Sequence, residues 1–299
     1  MAKVVEVYDA RMTALVSPDA SLEKLAEGAK HSEGPVYFPE DDSVIWSDVS
    51  GNRLFRWSQA EGVSIVREPS DYQNGNYRDR EGRLVSCSHG QRAIIRREHT
   101  GEWSVLVDRY RGARLNSPND LVVKSDGSIW FTDPPFGLTQ PAEGYNQPQE
   151  QPGSFVYRFH PDTGEIDVVI QEMERPNGIA FSPDETILYV TDTSQVDYPQ
   201  GHHTIRAYDV VNGKYVENSR VFAIIEPGQP DGLSVDGSGN VFTSSADSVQ
   251  VYAPDGIRLG KIRVPEVCAN LTFGGSDRKR LFITAGQSLY AIAVLTQGS

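Results

Sequence analysis

The sequence predicts an all-β protein, a six-bladed β-propeller closed by an N-terminal strand, and three observations predict it. First, one short phrase is written six times: an Asn or acid at the entrance to a strand, a tight turn, and a second strand ending in Ser or Thr. The copies are SEGPVYFPEDDSVIWSD from Ser32, QNGNYRDREGRLVSC from Gln73, PNDLVVKSDGSIWFTD from Pro118, RPNGIAFSPDETILYVTDT from Arg175, PDGLSVDGSGNVFTS from Pro230 and ANLTFGGSDRKRLFITA from Ala269. Second, the anchors Glu33, Asn74, Asn119, Asn177, Asp231 and Asn270 recur every 39 to 58 residues. Each precedes its closing Ser47, Ser86, Thr132, Thr191, Thr243 or Thr284 by 12 to 14 residues. That period fits a four-stranded blade rather than a helical pair. Third, 27 Gly and 18 Pro with 38% hydrophobic residues suit many short strands joined by turns. The last copy fits least well, because aligning Phe273 with Phe181 places Ala269 rather than Asn270 at the anchor.

The 299 residues read as one domain, 1–299, since closed all-β folds reach this length as a single unit and the repeats leave no room for a linker. Residues 1–20 are expected to form an irregular arm. The segment SLEKLAEGAK, from Ser21, spaces Leu22, Leu25 and Ala26 for one apolar helix face. The ring argues otherwise. The final repeat stops after LYAIAV, its third strand, and an open edge with unpaired backbone groups must be covered. Leu22 to Glu27 is therefore predicted to be the missing fourth strand. Residues 133–153, rich in Pro, Gln and Gly, and the smaller excess at 194–203 read as loops. Because the second strand of an up-and-down blade returns to the level where the first began, both loops should rim the mouth that holds the anchors. His89 and Asp133 belong to the same side.

A net charge of −13 argues against nucleic acid or an anionic membrane surface as partner. MAKVVEVYDARM lacks a signal-peptide core and no apolar run is long enough to span a bilayer, so the cytoplasm is expected. Cys87 and Cys268 lie in different repeats and offer neither a disulfide framework nor metal-ligand spacing. Both read as buried small hydrophobes.

Residues that open the innermost strands of a propeller point toward its central channel. The six anchors then converge, and they include two carboxylates and no Lys or Arg. Two carboxylates in a narrow, partly dry channel repel and are costly to desolvate without a counter-charge. A hard divalent cation would supply it, Ca²⁺ first, with Mg²⁺, Mn²⁺ or Zn²⁺ as alternatives. The ordinary alternative is that Asn-Gly and Asp-Gly are hairpin turns. Recurrence at one phase of successive repeats favours the metal site. Asp48, Asp133 and Asp192 read as turn acceptors rather than ligands, and His89, His202 and His203 as mouth-side residues.

The phrases SEGPVYF, LNSPNDLVVKSDGSIWFTDPPFG, RPNGIAFSPD and PDGLSVD resemble the family of gluconolactonase, senescence marker protein and luciferin-regenerating enzyme, in its bacterial gluconolactonase-like branch. The resemblance runs from Glu33 to Val294. It implies one divalent metal, usually Ca²⁺, at the bottom of the central pocket, with Glu33, Asn119, Asn177 and Asp231 as ligands and Asp231 also as general base. The implied activity is metal-dependent opening of a small lactone, an aldonolactone such as gluconolactone foremost. Organophosphate or aryl ester hydrolysis on the same site, or a non-catalytic propeller with a structural cation, are the alternatives. Asn74, His89 and Asn270 are candidates for substrate contact. One position departs from the pattern: where animal sugar-lactonase members place an arginine that holds substrate hydroxyls, this chain has Ser117.

Overall fold

The structure is a computed structural model and describes residues 3–299. Six antiparallel sheets follow one another around a ring. The first blade is Ser32–Phe38, Ser43–Asp48, Arg53–Ser58 and Gly62–Arg67; the second is Gln73–Arg78, Leu84–Ser88, Ala93–Arg97 and Trp103–Val107. The third is Leu121–Val123, Ile129–Asp133, Phe155–His160 and Glu165–Ile170; the fourth is Pro176–Phe181, Ile187–Asp192, Thr204–Val211 and Tyr215–Ile224. Leu233–Val235, Val241–Ser244, Ser248–Tyr252 and Arg258–Arg263 make the fifth, and Cys268–Gly274, Arg280–Ala285 and Ser288–Ala293 begin the sixth. Many of the strands are runs rich in β-branched and aromatic residues between polar turns, as in ILYVTD after SPDET.

The sixth blade is completed by Leu22–Glu27, which pairs antiparallel with Ser288–Ala293 in the register Leu22↔Ile292, Glu23↔Ala291, Glu27↔Ser288. Ring closure thus overrides the helical spacing of SLEKLAEGAK. Ala26 is buried with Trp46, Trp57 and Phe282, so the closing strand joins the interface between the first and sixth blades.

The arm is more ordered than expected. Val5–Val7 adds a fifth strand to the outer edge of Arg258–Arg263, with Val5 opposite Ile262. A 3-10 turn, Ala10–Ala14, follows; Asp9 caps it by accepting the Arg11 N–H at 2.9 Å. Val5, Met12 and Val16 are buried among Val251, Leu259 and Ile262. Apolar residues here find an uncovered blade edge, and the unpaired backbone of that edge draws the arm into the sheet.

Neighbouring blades bury their facing side chains as separate wedges. Val85, Ile94, Phe131 and Tyr157 fill one between the second and third blades. Trp130, Phe181, Leu188 and Tyr208 fill the next, with the Trp130 and Phe181 rings edge-to-face at 5.3 Å. Cys87 and Cys268 are buried free thiols. No helix among the described residues is long and apolar enough to cross a membrane.

Removing residues up to Glu27 should leave Ser288–Ala293 as an open edge and strip the cover from Leu259 and Ile262. The truncated protein is expected to melt at least ten degrees lower, or to aggregate, in a thermal scan with light scattering. Melting unchanged from the full chain would contradict this account of closure.

Candidate active site at the channel entrance

The six anchors form a ring because the inner strands crowd together where they begin. The hydroxyls that end the second strands stitch one blade to the next anchor: Ser47 Oγ donates to the carbonyl of Asn74, Thr132 Oγ1 to that of Asn177, and Thr191 Oγ1 to that of Asp231, each at 2.7 Å. Backbone amides add to this, with Gly75 N–H on Asn119 O at 2.8 Å and Gly178 N–H on Asp231 O at 3.1 Å. The glycines after the anchors follow from the same crowding. A Cβ on Gly34 would lie 2.2 Å from Asn74 O, and one on Gly178 2.3 Å from Asp231 O. Asn177-Gly178 and Asp231-Gly232 are therefore strand entrances in van der Waals contact with their neighbours, not hairpin turns.

The floor of the site is acidic. Glu33 is buried and Asp231 half-buried, and burial together with the charge of Asp231 raises the Glu33 carboxyl well above its ordinary value. Asp231 is pushed up to about 8 by burial and by the neighbouring charges of Asp120 and Glu143, against a hydrogen bond from Asn177. Asp120 is the third acid, pushed up to about 7 by burial. The Asn270 carboxamide lies between two of them: Nδ2 donates to Glu33 Oε2 at 3.1 Å and to Asp120 Oδ2 at 3.2 Å, while Oδ1 takes the Leu271 N–H at 2.8 Å. Gly75 and Gly232 make room, since a Cβ would meet Asp120 Oδ1 at 2.4 Å and the Asn270 amide at 2.0 Å. Beneath this layer a cavity of about 530 Å³, lined by Gly34, Asp120, Asn270, Tyr77 and Arg278, opens on the face opposite the other five anchors. Asn270, expected among the substrate contacts, thus has both ends of its amide engaged in the floor.

Above the floor, Asn177 Nδ2 donates to Thr193 Oγ1 at 3.3 Å, which leaves its Oδ1 without a protein donor among the described residues. Asn119 is buried and its side chain makes no protein hydrogen bond among the described residues, and Asn74 Oδ1 is buried without a partner. Unmet amide oxygens beside two mutually repelling carboxylates are the donor set of a hard cation. Among the described residues no three His, Cys, Asp or Glu side chains are grouped to hold an ion, so a cation here would need Asn119 and Asn177 as well as Glu33 and Asp231. The residues fit the metal that the sequence suggests.

His89 is fully buried and has a fixed tautomer. Its Nδ1 lies 3.0 Å from the Glu143 carbonyl, which can only accept, so Nδ1 carries the proton. Nε2 then accepts from Asn74 Nδ2 at 3.3 Å. Burial holds this imidazole below its ordinary value, hence neutral. Asp48, Asp133 and Asp192 accept backbone N–H groups, Asp48 from Lys30 and His31, Asp133 from Asn116, and Asp192 from Glu174 and Ser194. They are the structural acceptors that the sequence suggests.

Two acids escaped sequence reasoning. Asp120 stands where other copies carry the glycine after the anchor, and that exception within the repeat was the available signal. Glu143 lies in the aperiodic insertion 133–153, which offers no phase from which to place a side chain. It is nonetheless brought to the mouth, where its Oε1 pairs with His31 Nδ1 at 3.0 Å. Burial opposes both charges, but the bond between them outweighs it, so His31 is raised and Glu143 lowered.

A six-bladed propeller with acids and carboxamides gathered at one channel entrance defines a class of proteins that bind small molecules at the centre of the ring. The chain belongs to the SMP-30/gluconolactonase/LRE-like family, whose model matches residues 31–287. A gluconolactonase of Zymomonas mobilis is 32% identical, covering 97% of this chain and 86% of that protein. A pentonolactonase of Haloferax volcanii is 28% identical over 84% of this chain and 80% of its own length. The solved structure of a gluconolactonase from Xanthomonas campestris superimposes with a TM-score of 0.91 at 39% identity, covering 97% of this chain and 94% of that one.

The raised carboxyls carry a sign. Asp231 ionises near 3.8 in an unfolded chain and about 8 here, so its contribution to stability is fully present below pH 4 and is lost as pH rises through 8. Metal-stripped protein should therefore melt at progressively lower temperature from pH 5 to pH 9, and added Ca²⁺ should flatten or reverse that trend. A chelated protein whose melting temperature rises across this range would contradict the confinement of these acids.

Proposed function

We propose that the protein is a divalent-cation-dependent lactonase that opens a small hydroxylated lactone, an aldonolactone such as gluconolactone first. The observation that supports the reading is that Glu33 and Asp231 lie close enough to repel each other, beside Asn177, whose amide oxygen has no protein donor among the described residues. The names of relatives that span most of this chain, a gluconolactonase and two further sugar lactonases among them, support the substrate class.

Glu33, Asn119, Asn177 and Asp231 would hold the cation, Ca²⁺ being preferred because carboxamide oxygens suit its loose coordination. Such an ion supplies Lewis-acid polarisation of the lactone carbonyl. The chain's own contribution is proton transfer and orientation. Asp231 takes a proton from the attacking water, and its backbone is fixed by the Ser244 hydroxyl and by Thr191. His89 is the weaker candidate for this role, since its one basic nitrogen is already occupied by Asn74. Residues 133–153 close one side of the mouth and limit the water that reaches the reacting carbonyl.

Asp231→Asn keeps an oxygen in place but removes a charge and the base. Metal affinity should fall, and saturating Ca²⁺ should restore occupancy but not activity, which is expected to stay about 10²- to 10⁴-fold down. Asn177→Asp should instead tighten the metal. Steady-state rates on a panel of lactones, aryl esters and phosphotriesters, with and without EDTA, test the reading. Parental turnover by metal-loaded Asp231→Asn, or lactone hydrolysis indifferent to EDTA, would contradict it.

A further inference from the structure

Ser117, two residues before the anchor Asn119, is fully buried, and the structure shows what its hydroxyl does. Its Oγ donates to the Pro134 carbonyl at 2.6 Å and accepts the Gly137 N–H at 3.0 Å, which docks the start of the insertion on the channel wall. A single helical turn, Phe136–Thr139, then packs so closely that a Cβ on Gly137 would lie 2.5 Å from the His89 Cβ and 2.9 Å from the Ser117 Cβ. The insertion therefore fills the space that a long side chain at position 117 would need.

The rest of the insertion is tied down as firmly. Its chain doubles back at Gly144, where a Cβ would lie 1.9 Å from Gly137 O. Tyr145 packs edge-to-face on Tyr72 at 5.1 Å, Arg92 Nη1 meets Pro148 O and Glu150 Oε1 at 3.3 Å each, and Gln151 Nε2 donates to Ala113 O at 3.0 Å. This is a fixed wall, not a flap. Between its two moorings it delivers one charged group to the mouth. Glu143 spends its backbone carbonyl on His89, whose Nε2 meets the anchor Asn74, and its Oε1 on His31. Glu143 Oε2 has no protein partner among the described residues, although the side chain is only 13% exposed.

We infer that Glu143, steadied by His31, is a specificity-determining residue that accepts a hydrogen bond from a ring or chain hydroxyl of the substrate through Oε2. The inference rests on the lactonase reading and deepens it: the insertion supplies a carboxylate oxygen that can accept from the hydroxyls of the substrate. A carboxylate suits this task because a polyol offers several O–H donors, and charge-assisted bonds of this kind are about twice as strong as neutral ones. A site built to meet a hydroxyl also discriminates strongly against a ligand that lacks it.

The test is Glu143→Gln assayed on glucono-δ-lactone and on δ-valerolactone, the same ring without hydroxyls. Gln can still reach His31, and the backbone carbonyl that holds His89 is untouched, so the wall stays docked; an unchanged melting temperature checks this. The expected result is a KM for gluconolactone raised about 10- to 100-fold with kcat within about 3-fold, and valerolactone kinetics altered by less than about 3-fold. Glu143→Ala should show the same split in KM and lose more of it. An unchanged KM for gluconolactone in Glu143→Gln, or a parallel loss on both lactones, would overturn the inference while leaving the lactonase reading standing. A wild-type protein inactive on every lactone would overturn both.

Discussion

The structure turns on the closeness of the inner strands at their first residues. Around that ring the backbone of each blade touches the next, and the Ser and Thr hydroxyls of the second strands hold neighbouring anchor carbonyls at 2.7 Å. After four of the anchors the arrangement leaves no space for a side chain, and glycine follows each of these. It also forces the anchor side chains inward, so that acids and amides share a small buried volume. The charge problem of the site is thus a direct consequence of how the ring closes. Buried carboxylates without partners are destabilising, and the ring of anchors concentrates that cost at the channel.

The channel has two unlike halves, and Asn270 divides them. Its amide is the one protein donor set between Glu33 and Asp120, and it partly screens two acids that would otherwise face each other. Above lie the anchors with unmet oxygens and the insertion with Glu143 and His31. Below lies the wider cavity lined by Tyr77 and Arg278, with no anchor but Asn270 at its roof. The proposed chemistry belongs to the upper half, where Glu33 and Asp231 are raised and the Asn74 amide oxygen is unmet.

The fold was largely legible because its repeats are written in residues that do the same physical task each time. Ser47, Thr132 and Thr191 recur since each must reach a neighbouring carbonyl, and Leu22–Glu27 could be placed as a strand since an open edge had to be covered. The glycines were visible but ambiguous: Asn-Gly signals a hairpin in most contexts, and only the approach of an adjacent blade shows that space decides here. Asn270 was visible as an anchor but not as floor, because the last copy is out of phase by one residue: aligning Phe273 with Phe181 places Ala269 at the anchor. Glu143 was beyond reach, since an insertion without periodicity carries no information about where its side chains point. The arm was misjudged for a related reason: three residues, Val5–Val7, are too few to show a period, and their strand exists only because the fifth blade offers an edge.

The central claim is that the ring of anchors gathers Glu33, Asn119, Asn177 and Asp231 to hold one hard cation. Crystals grown with Mn²⁺ in place of Ca²⁺ test it most directly, by anomalous diffraction at the manganese edge. The account predicts one strong peak within about 2.0–2.6 Å of oxygens from all four side chains, on the insertion side of Asn270. No peak there, or a single peak at Asp120 on the lower side of the floor, would contradict it.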